Sequence, residues 1–266
     1  MPDIDDRFID VDFRTDPRYV FGDTGRKTFG RVFAQRLKDA IPLVPRSQWE
    51  AEFEKTQAAG GGAERLVTRI YDQGSEGSCV ANASSQAHEI VQAKEFGKDK
   101  VVHLSAISLY KRIGRSPQSG SSCDDALDEG TTRGILPLDT PENRARFGDA
   151  VMPNTGFYKP YPANWEPTAK FFRYVERLII EDMDEMGTAL ANQLPVVVGR
   201  QGHSICYVGQ IWKNGRRLAP YPNSWSMAWG APMGDMPGGF GFDSENQIAM
   251  SADWAFALRT ITNPSR

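Results

Sequence analysis

Long apolar segments and an excess of basic charge are both missing from this 266-residue sequence. Its longest apolar runs, residues 178–180 and 194–198, are far shorter than the roughly 20 residues that span a bilayer. The net charge is −3, which provides no basic face for nucleic acid. We therefore expect neither a membrane-spanning segment nor a nucleic-acid partner.

Cysteine and histidine are also scarce. The three cysteines, Cys79, Cys123 and Cys206, are widely spaced without a C-x-x-C pair, and there are only three histidines. This composition does not match the usual zinc-binding patterns. The odd cysteine count and an acidic N-terminus without an apolar signal segment favour a reducing, cytoplasmic compartment over a disulfide framework.

What the sequence does have is a glycine-rich turn, residues 71–78, that leads directly into Cys79. Helix formers follow to about Phe96, so the pattern predicts a helix that begins at Cys79. Backbone donors and the helix dipole at such a position favour a thiolate, which is a nucleophile. Gln73 lies six residues upstream and could fold back to donate to an oxyanion. A lone cysteine, however, is more often a small buried hydrophobic residue.

Two downstream motifs give Cys79 its partners. His203 opens an alternating apolar segment, and Asn223 is followed two residues later by Trp225. The order Gln73, Cys79, His203, Asn223 resembles that of the papain-like cysteine peptidases. The resemblance implies an α+β, two-lobed fold, in which a helical lobe that carries the nucleophile helix packs on an antiparallel β-sheet lobe.

The resemblance also predicts the domain boundaries. The papain-like domain is expected at residues 41–266, with a helical lobe at about 65–160 and a β lobe at about 165–262. Residues 1–40 form an extension with one amphipathic helix, whose apolar positions are Phe29, Val32, Phe33, Leu37 and Ile41. The extension lacks the helical signature of the family's inhibitory pro-segment. We expect it to pack on the domain surface without entering the cleft, or to bind an assembly partner.

The β lobe contains an Asn214-Gly215 turn, the strongest short hairpin signal. Counting outward from it pairs His203 with Ser226, so a bulge is needed to bring His203 to Asn223. In this register Cys206 faces away from His203, which predicts that Cys206 lies in the core.

The resemblance assigns roles to these residues. Cys79 would be the nucleophile, His203 the base, Asn223 the group that orients the imidazole, and Gln73 an oxyanion donor, without metal or cofactor. The substrate would be a protein or peptide. The residues expected to bind it are Gly120, Ser121, Gly202 and Trp225, although the family often has a Gly-Gly pair where this chain has Gly120 followed by serines.

Two alternative functions remain open from the sequence. One is a catalytically quiet papain-fold component of an assembly such as a phage particle, which would place the protein in a virion. The other is acyl transfer to an amine by the same triad, because the thioester intermediate serves either outcome.

Overall fold

The computed structural model describes residues 4–25 and 34–263 as an α+β protein with two sheets, which confirms the predicted fold class. The helices of this part of the chain are α1 (Leu37–Ala40), α2 (Trp49–Ala58), α3 (Cys79–Phe96), α4 (Ala106–Ile113), α5 (Cys123–Thr132), α6 (Pro141–Phe147), α7 (Trp165–Ala169), α8 (Met183–Ala191) and α9 (Glu245–Ser251). The strands are β1 (Gln35–Arg36), β2 (Tyr174–Ile180), β3 (Val196–Arg200), β4 (His203–Tyr207), β5 (Ile211–Lys213), β6 (Arg216–Pro222), β7 (Ala231–Met233), β8 (Met236–Ser244) and β9 (Ala252–Ile261).

The strands form one five-stranded and one four-stranded sheet. The first has the order β1-β2-β9-β3-β4 and the second the order β5-β6-β8-β7. Every pairing is antiparallel except the short one between β1 and β2. Helix α3 packs against β3, β4 and β9.

Helix α3 has the predicted bounds. It begins at Cys79, directly after the glycine-rich turn, and ends before Gly97, whose φ of 100° is readily adopted only by glycine. The side-chain amide of Asn82 donates to the carbonyl and hydroxyl oxygens of Ser78, both at 2.9 Å, and so holds the first turn. Every residue from 79 to 93 is buried, which makes α3 the central helix of the molecule.

The Asn214-Gly215 hairpin is confirmed, but the predicted register of His203 is wrong. Asn214 and Gly215 both have positive φ, and they join β5 to β6. The chain turns at Gly209, with a φ of 122°, so β4 is not part of this hairpin. His203 pairs with Arg200 of β3 instead of Ser226, and it meets Asn223 from the neighbouring sheet.

The buried position predicted for Cys206 is confirmed. Cys206 is fully buried opposite Val197, as predicted for a core residue. The three cysteines form no disulfide, and no helix among the described residues is long and apolar enough to cross a membrane.

The predicted amphipathic helix falls largely on residues 26–33, which lie outside the described residues. Its later positions, Leu37 and Ile41, fall within and just after the four-residue helix α1.

Candidate active site

The Cys79 side chain lies at the N-terminus of α3, between this helix and strand β4. Its sulfur is within reach of three backbone N–H groups, those of Ser204, Val80 and Cys79 itself. Ser204 is the residue directly after His203, so the first residues of β4 lie against the sulfur. The thiol is completely buried.

His203 and Asn223 form a direct hydrogen bond. Nε2 of the imidazole lies 2.8 Å from Oδ1 of the Asn223 amide. Because an amide oxygen can only accept, the proton of the neutral ring is on Nε2 and Nδ1 is the basic nitrogen. Nδ1 is buried and has no hydrogen-bond partner among the described residues. The geometry therefore fixes the ring and leaves a free base facing away from the amide.

Two aromatic rings cover this pair. The Trp225 ring lies with its centroid 5.0 Å from that of His203, and it is almost fully buried. The Phe13 ring meets His203 edge-on at 4.8 Å and meets Trp225 at 5.5 Å. Burial between these rings keeps water away from the hydrogen bond between His203 and Asn223.

Gln73 ties the turn before Cys79 to the loop that carries Asn223. Its backbone N–H donates to the Ser224 carbonyl at 2.9 Å, and its side-chain oxygen accepts from the Ser224 hydroxyl at 2.6 Å. Its amide nitrogen donates to the Glu76 carbonyl at 2.8 Å, which leaves one amide hydrogen for another acceptor. The structure thus joins the predicted catalytic residues into one cluster, with Gln73 beside the Asn223 loop.

Burial sets the charge state of the pair. Desolvation, and then the nearby Asp23 carboxyl, raises the pKa of the Cys79 thiol far above its usual value. Desolvation also lowers the pKa of His203 to about 4, although the Asn223 hydrogen bond opposes it. Burial therefore opposes the thiolate that the helix N-terminus was predicted to favour, and it opposes the imidazolium as well.

The cover over Cys79 is the N-terminal segment, which we call the strap and define as residues 11–24. A β-carbon built on Gly22 would lie 2.6 Å from the Cys79 sulfur and 2.8 Å from the Gly77 carbonyl oxygen. Only a glycine fits this position without displacing the sulfur. The expectation that the extension stays out of the cleft is therefore wrong.

Backbone hydrogen bonds hold the strap to both walls of the cleft. On the β lobe, the Gly202 carbonyl accepts from the N–H groups of Gly22 and Asp23, at 3.1 and 3.0 Å. On the other wall, the Ser121 N–H donates to the Gly22 carbonyl at 2.9 Å, and the Ser121 carbonyl accepts from Thr24 at 3.0 Å. The strap runs parallel to the Ser121 segment. This wall therefore binds an extended chain without a Gly-Gly pair.

Three of the four residues predicted to bind substrate surround the strap. Gly202 and Ser121 bond to it, and a β-carbon on Gly120 would lie 2.9 Å from the Gly22 carbonyl oxygen. The fourth, Trp225, lies on the imidazole, beneath Phe13.

The first part of the strap is anchored through Arg200. This buried guanidinium donates to the Val11 carbonyl at 2.7 Å, lies over the Phe13 ring at 4.3 Å, and pairs with the equally buried Asp243 at 3.3 Å. The Gln201 side chain accepts from the Phe13 N–H at 3.2 Å. Residues 11–13 are thus bound to the turn that precedes His203.

Sequence reasoning missed four residues of the site: Phe13, Gly22, Asp23 and Trp254. The Trp254 indole N–H donates to both carboxylate oxygens of Asp23, at 3.2 and 3.0 Å. One signal was available, since Gly22 and Asp23 follow two aromatic residues in a stretch without helical periodicity.

Comparisons with known proteins agree with this architecture. No protein-family model matches the sequence. A search of curated proteins also finds no match. Among solved structures, xylellain, a cysteine protease from Xylella fastidiosa, aligns with a TM-score of 0.62 and 18% identity over 92% of this chain and 98% of that one.

Two proenzyme structures align in the same way. Procathepsin L 3 from the Tenebrio molitor larval midgut gives a TM-score of 0.59 and 16% identity over 88% of this chain and 76% of that one. Procathepsin B from Trypanosoma congolense gives a TM-score of 0.54 and 13% identity over 94% of this chain and 90% of that one. The chain therefore has the papain-like cysteine protease fold.

Proposed function

We propose that this chain is a cysteine peptidase that hydrolyses peptide bonds through Cys79, His203 and Asn223. The observation that carries the proposal is the 2.8 Å hydrogen bond between His203 Nε2 and Asn223, which leaves Nδ1 as an unpartnered base. The next residue after His203, Ser204, places its backbone N–H at the sulfur of Cys79, which lies at a helix N-terminus. The papain-like fold, shared with several cysteine proteases, supports it.

In the proposed reaction, His203 Nδ1 takes the Cys79 proton and the sulfur forms a bond to the peptide carbonyl carbon. The carbonyl electron pair moves to oxygen, where the Cys79 N–H and the second amide hydrogen of Gln73 would stabilise it. Collapse breaks the C–N bond, and His203 protonates the leaving amine. Water then attacks the thioester, with His203 as base, and releases the acid and the thiol.

The strap would make the described state latent. With Gly22 over the sulfur, no carbonyl carbon can reach Cys79. Burial also keeps both reacting groups neutral, because it opposes the thiolate and the imidazolium alike. Displacement of the strap would readmit water and favour the ion pair. The parts of an active peptidase are therefore expected to be assembled beneath the cover.

The test uses an epoxysuccinyl peptide probe and the full chain with Gly22→Ala, which we expect to open the strap because the added methyl group overlaps the Cys79 sulfur. We expect the probe to modify Cys79, identified by mass spectrometry, and the variant to hydrolyse a mixture of unstructured peptides. His203→Ala on the same background should lower both rates by roughly 10²-fold or more.

The matched control is Cys79→Ala on the Gly22→Ala background, which should show neither reaction. An opened variant that neither binds the probe nor cleaves peptides would instead support the catalytically quiet module. Labelling of Cys79 with peptides joined to an added amine, in place of hydrolysed peptides, would support the acyltransferase.

A further inference from the structure

The Asp23 side chain points out of the strap into a small pocket of the β lobe. Only 3% of the residue is exposed. Trp254 donates its indole N–H to the carboxyl, and the Gly25 N–H donates to Oδ1 at 2.8 Å. The Gly25 bond belongs to the strap itself, so the indole is the donor that the pocket supplies.

Gly199 makes the space for this side chain. It lies in β3, between Ser204 of β4 and Trp254 of β9. A β-carbon on Gly199 would overlap both the Asp23 carboxylate and the Trp254 indole nitrogen. The pocket therefore exists because residue 199 has no side chain, and its depth suits a short group.

The position of the pocket relative to the sulfur is fixed by the strap. Gly22 lies over Cys79, and Asp23 is the next residue. Because the strap is held by backbone groups of Gly202 and Ser121, any extended peptide can use the same bonds. A peptide in this groove would place the side chain adjacent to its sulfur-facing residue into the pocket.

The electrostatics of the pocket favour a neutral acceptor. No cation among the described residues pairs with Asp23, and the nearby titratable groups are the Cys79 thiol, the Tyr19 phenol and the Asp253 carboxyl. Desolvation, with a smaller contribution from Asp253, raises the pKa of Asp23 to about 7. The pocket itself supplies only the neutral indole N–H, beside a neighbouring acid, so a carboxylate buried there is unfavourable.

We infer that Trp254 and Gly199 form a specificity pocket that selects asparagine, or aspartic acid in its protonated form, next to the residue over Cys79. The inference rests on the proposed function. A side chain with an acceptor gains a hydrogen bond from the indole N–H, whereas an apolar side chain leaves this buried donor unpaired. Gly199 provides the space that the short Asp23 side chain fills, and the absence of a described cation together with Asp253 disfavours a carboxylate.

The first experiment uses the strap as a built-in ligand and does not require peptidase activity. Iodoacetamide labelling of Cys79 is measured at pH 8 in the full chain with Asp23→Asn and Asp23→Leu. Asp23→Asn keeps the indole bond without ionising, so labelling should be roughly tenfold slower than in the wild type. Asp23→Leu should label at least tenfold faster. Thr24→Leu, at the exposed neighbouring position, is the matched control and should keep the wild-type rate.

If Asp23→Leu labels as slowly as the wild type, or Asp23→Asn as fast as Asp23→Leu, the pocket does not select an acceptor and the proposal is overturned. The second experiment profiles peptide cleavage by the Gly22→Ala variant at pH 8. Peptides with asparagine at the pocket position should have a kcat/KM at least tenfold above those with leucine or aspartate. Trp254→Phe on this background should remove most of that preference.

The outcomes separate the two proposals. Cleavage without an asparagine preference overturns the pocket and leaves the peptidase. If no peptide is cleaved, the proposed function fails, and the Asp23 labelling series alone decides whether the pocket recognises an amide.

Discussion

Cys79 and Cys206 are equally hidden from solvent, but different parts of the molecule hide them. Cys206 lies in β4 opposite Val197, inside the core between the sheet and the helices. Cys79 belongs to the same buried cluster, but the strap residue Gly22 closes the space above its sulfur. Burial raises the pKa of both thiols.

The difference between the two sites is that one cover can be removed. Exposing Cys206 requires the sheet to open, which is close to global unfolding. Exposing Cys79 requires only that a segment held by backbone hydrogen bonds and a few side chains leaves the cleft. A buried, neutral cysteine is therefore compatible with catalysis when its cover is a separate segment of the chain.

The largest expected effect comes from removing each thiol in turn, on the Gly22→Ala background. Cys79→Ala should reduce peptide turnover by at least about 10⁴-fold, because no other group can form the acyl-enzyme. Cys206→Ala should keep turnover within about twofold and lower the free energy of unfolding by about 1 kcal/mol. Turnover and urea unfolding of the two variants provide the measurements. Equal loss of turnover in both would remove the distinction between the two cysteines.

The next effect is the opening of the strap. Gly22→Ala places a methyl group against the Cys79 sulfur and the Gly77 carbonyl. Overpacking of this kind costs about 1–3 kcal/mol, so the open population and the iodoacetamide labelling of Cys79 should rise roughly 5- to 150-fold. Cys206 labelling should stay unchanged. Thr24→Ala, at an exposed strap position, is the control. An unchanged Cys79 rate in Gly22→Ala would show that the strap does not limit access.

What the sequence predicted well is what local chemistry encodes. Helix α3 and the Asn214-Gly215 turn follow from glycine placement and positive φ, and the helix bounds agree to the residue. The partners His203 and Asn223 were found from their motif order. Their register was not, because β4 ends at Tyr207, the chain turns at Gly209, and Asn223 follows β6 of the other sheet.

The strap could not be predicted for a different physical reason. Its bonds to the cleft walls use the N–H and C=O groups of Gly22, Asp23 and Thr24, which every sequence carries. The side chains that do contribute, Phe13 and Asp23, contact Arg200, His203 and Trp254, which lie far away in the sequence. Such contacts leave no periodic signal in the sequence.

The opening of the strap should depend on pH through Asp23. The pKa of Asp23 is raised to about 7 in the closed state, mainly by desolvation, and returns toward 3.8 when the strap leaves the cleft. The closed state therefore binds the proton more tightly. The stability that this proton gives to the closed state, relative to the open state, is fully present below about pH 4 and is lost as the pH rises to about 7. The strap should open more readily at pH 8 than at pH 5.

Labelling of Cys79 tests this when the wild-type rate is divided by the Asp23→Asn rate, because the intrinsic reactivity of the thiol then cancels. The ratio of the wild-type rate to the Asp23→Asn rate should increase on the order of 10²-fold between pH 5 and 8 and become level above about pH 7.5. The Asp23→Asn variant serves as the reference because its side chain does not titrate. A ratio that is flat, or that falls with pH, would contradict a protonated Asp23 in the closed state.

The smallest expected effect is at Ser121, where the cleft wall acts through its backbone. The Ser121 hydroxyl is buried without a hydrogen-bond partner among the described residues, so Ser121→Ala should change the free energy of unfolding by less than about 0.5 kcal/mol. Its N–H still donates to Gly22, and Cys79 labelling should stay within about twofold of the wild type. The matched control is Ser122→Ala, since the Ser122 hydroxyl caps α5 by accepting from the Asp125 N–H at 3.3 Å. Loss of that cap should cost about 1 kcal/mol. If Ser121→Ala alone opened Cys79 tenfold, the wall would depend on its side chain, and the strap would have to be described as sequence-specific on this side as well.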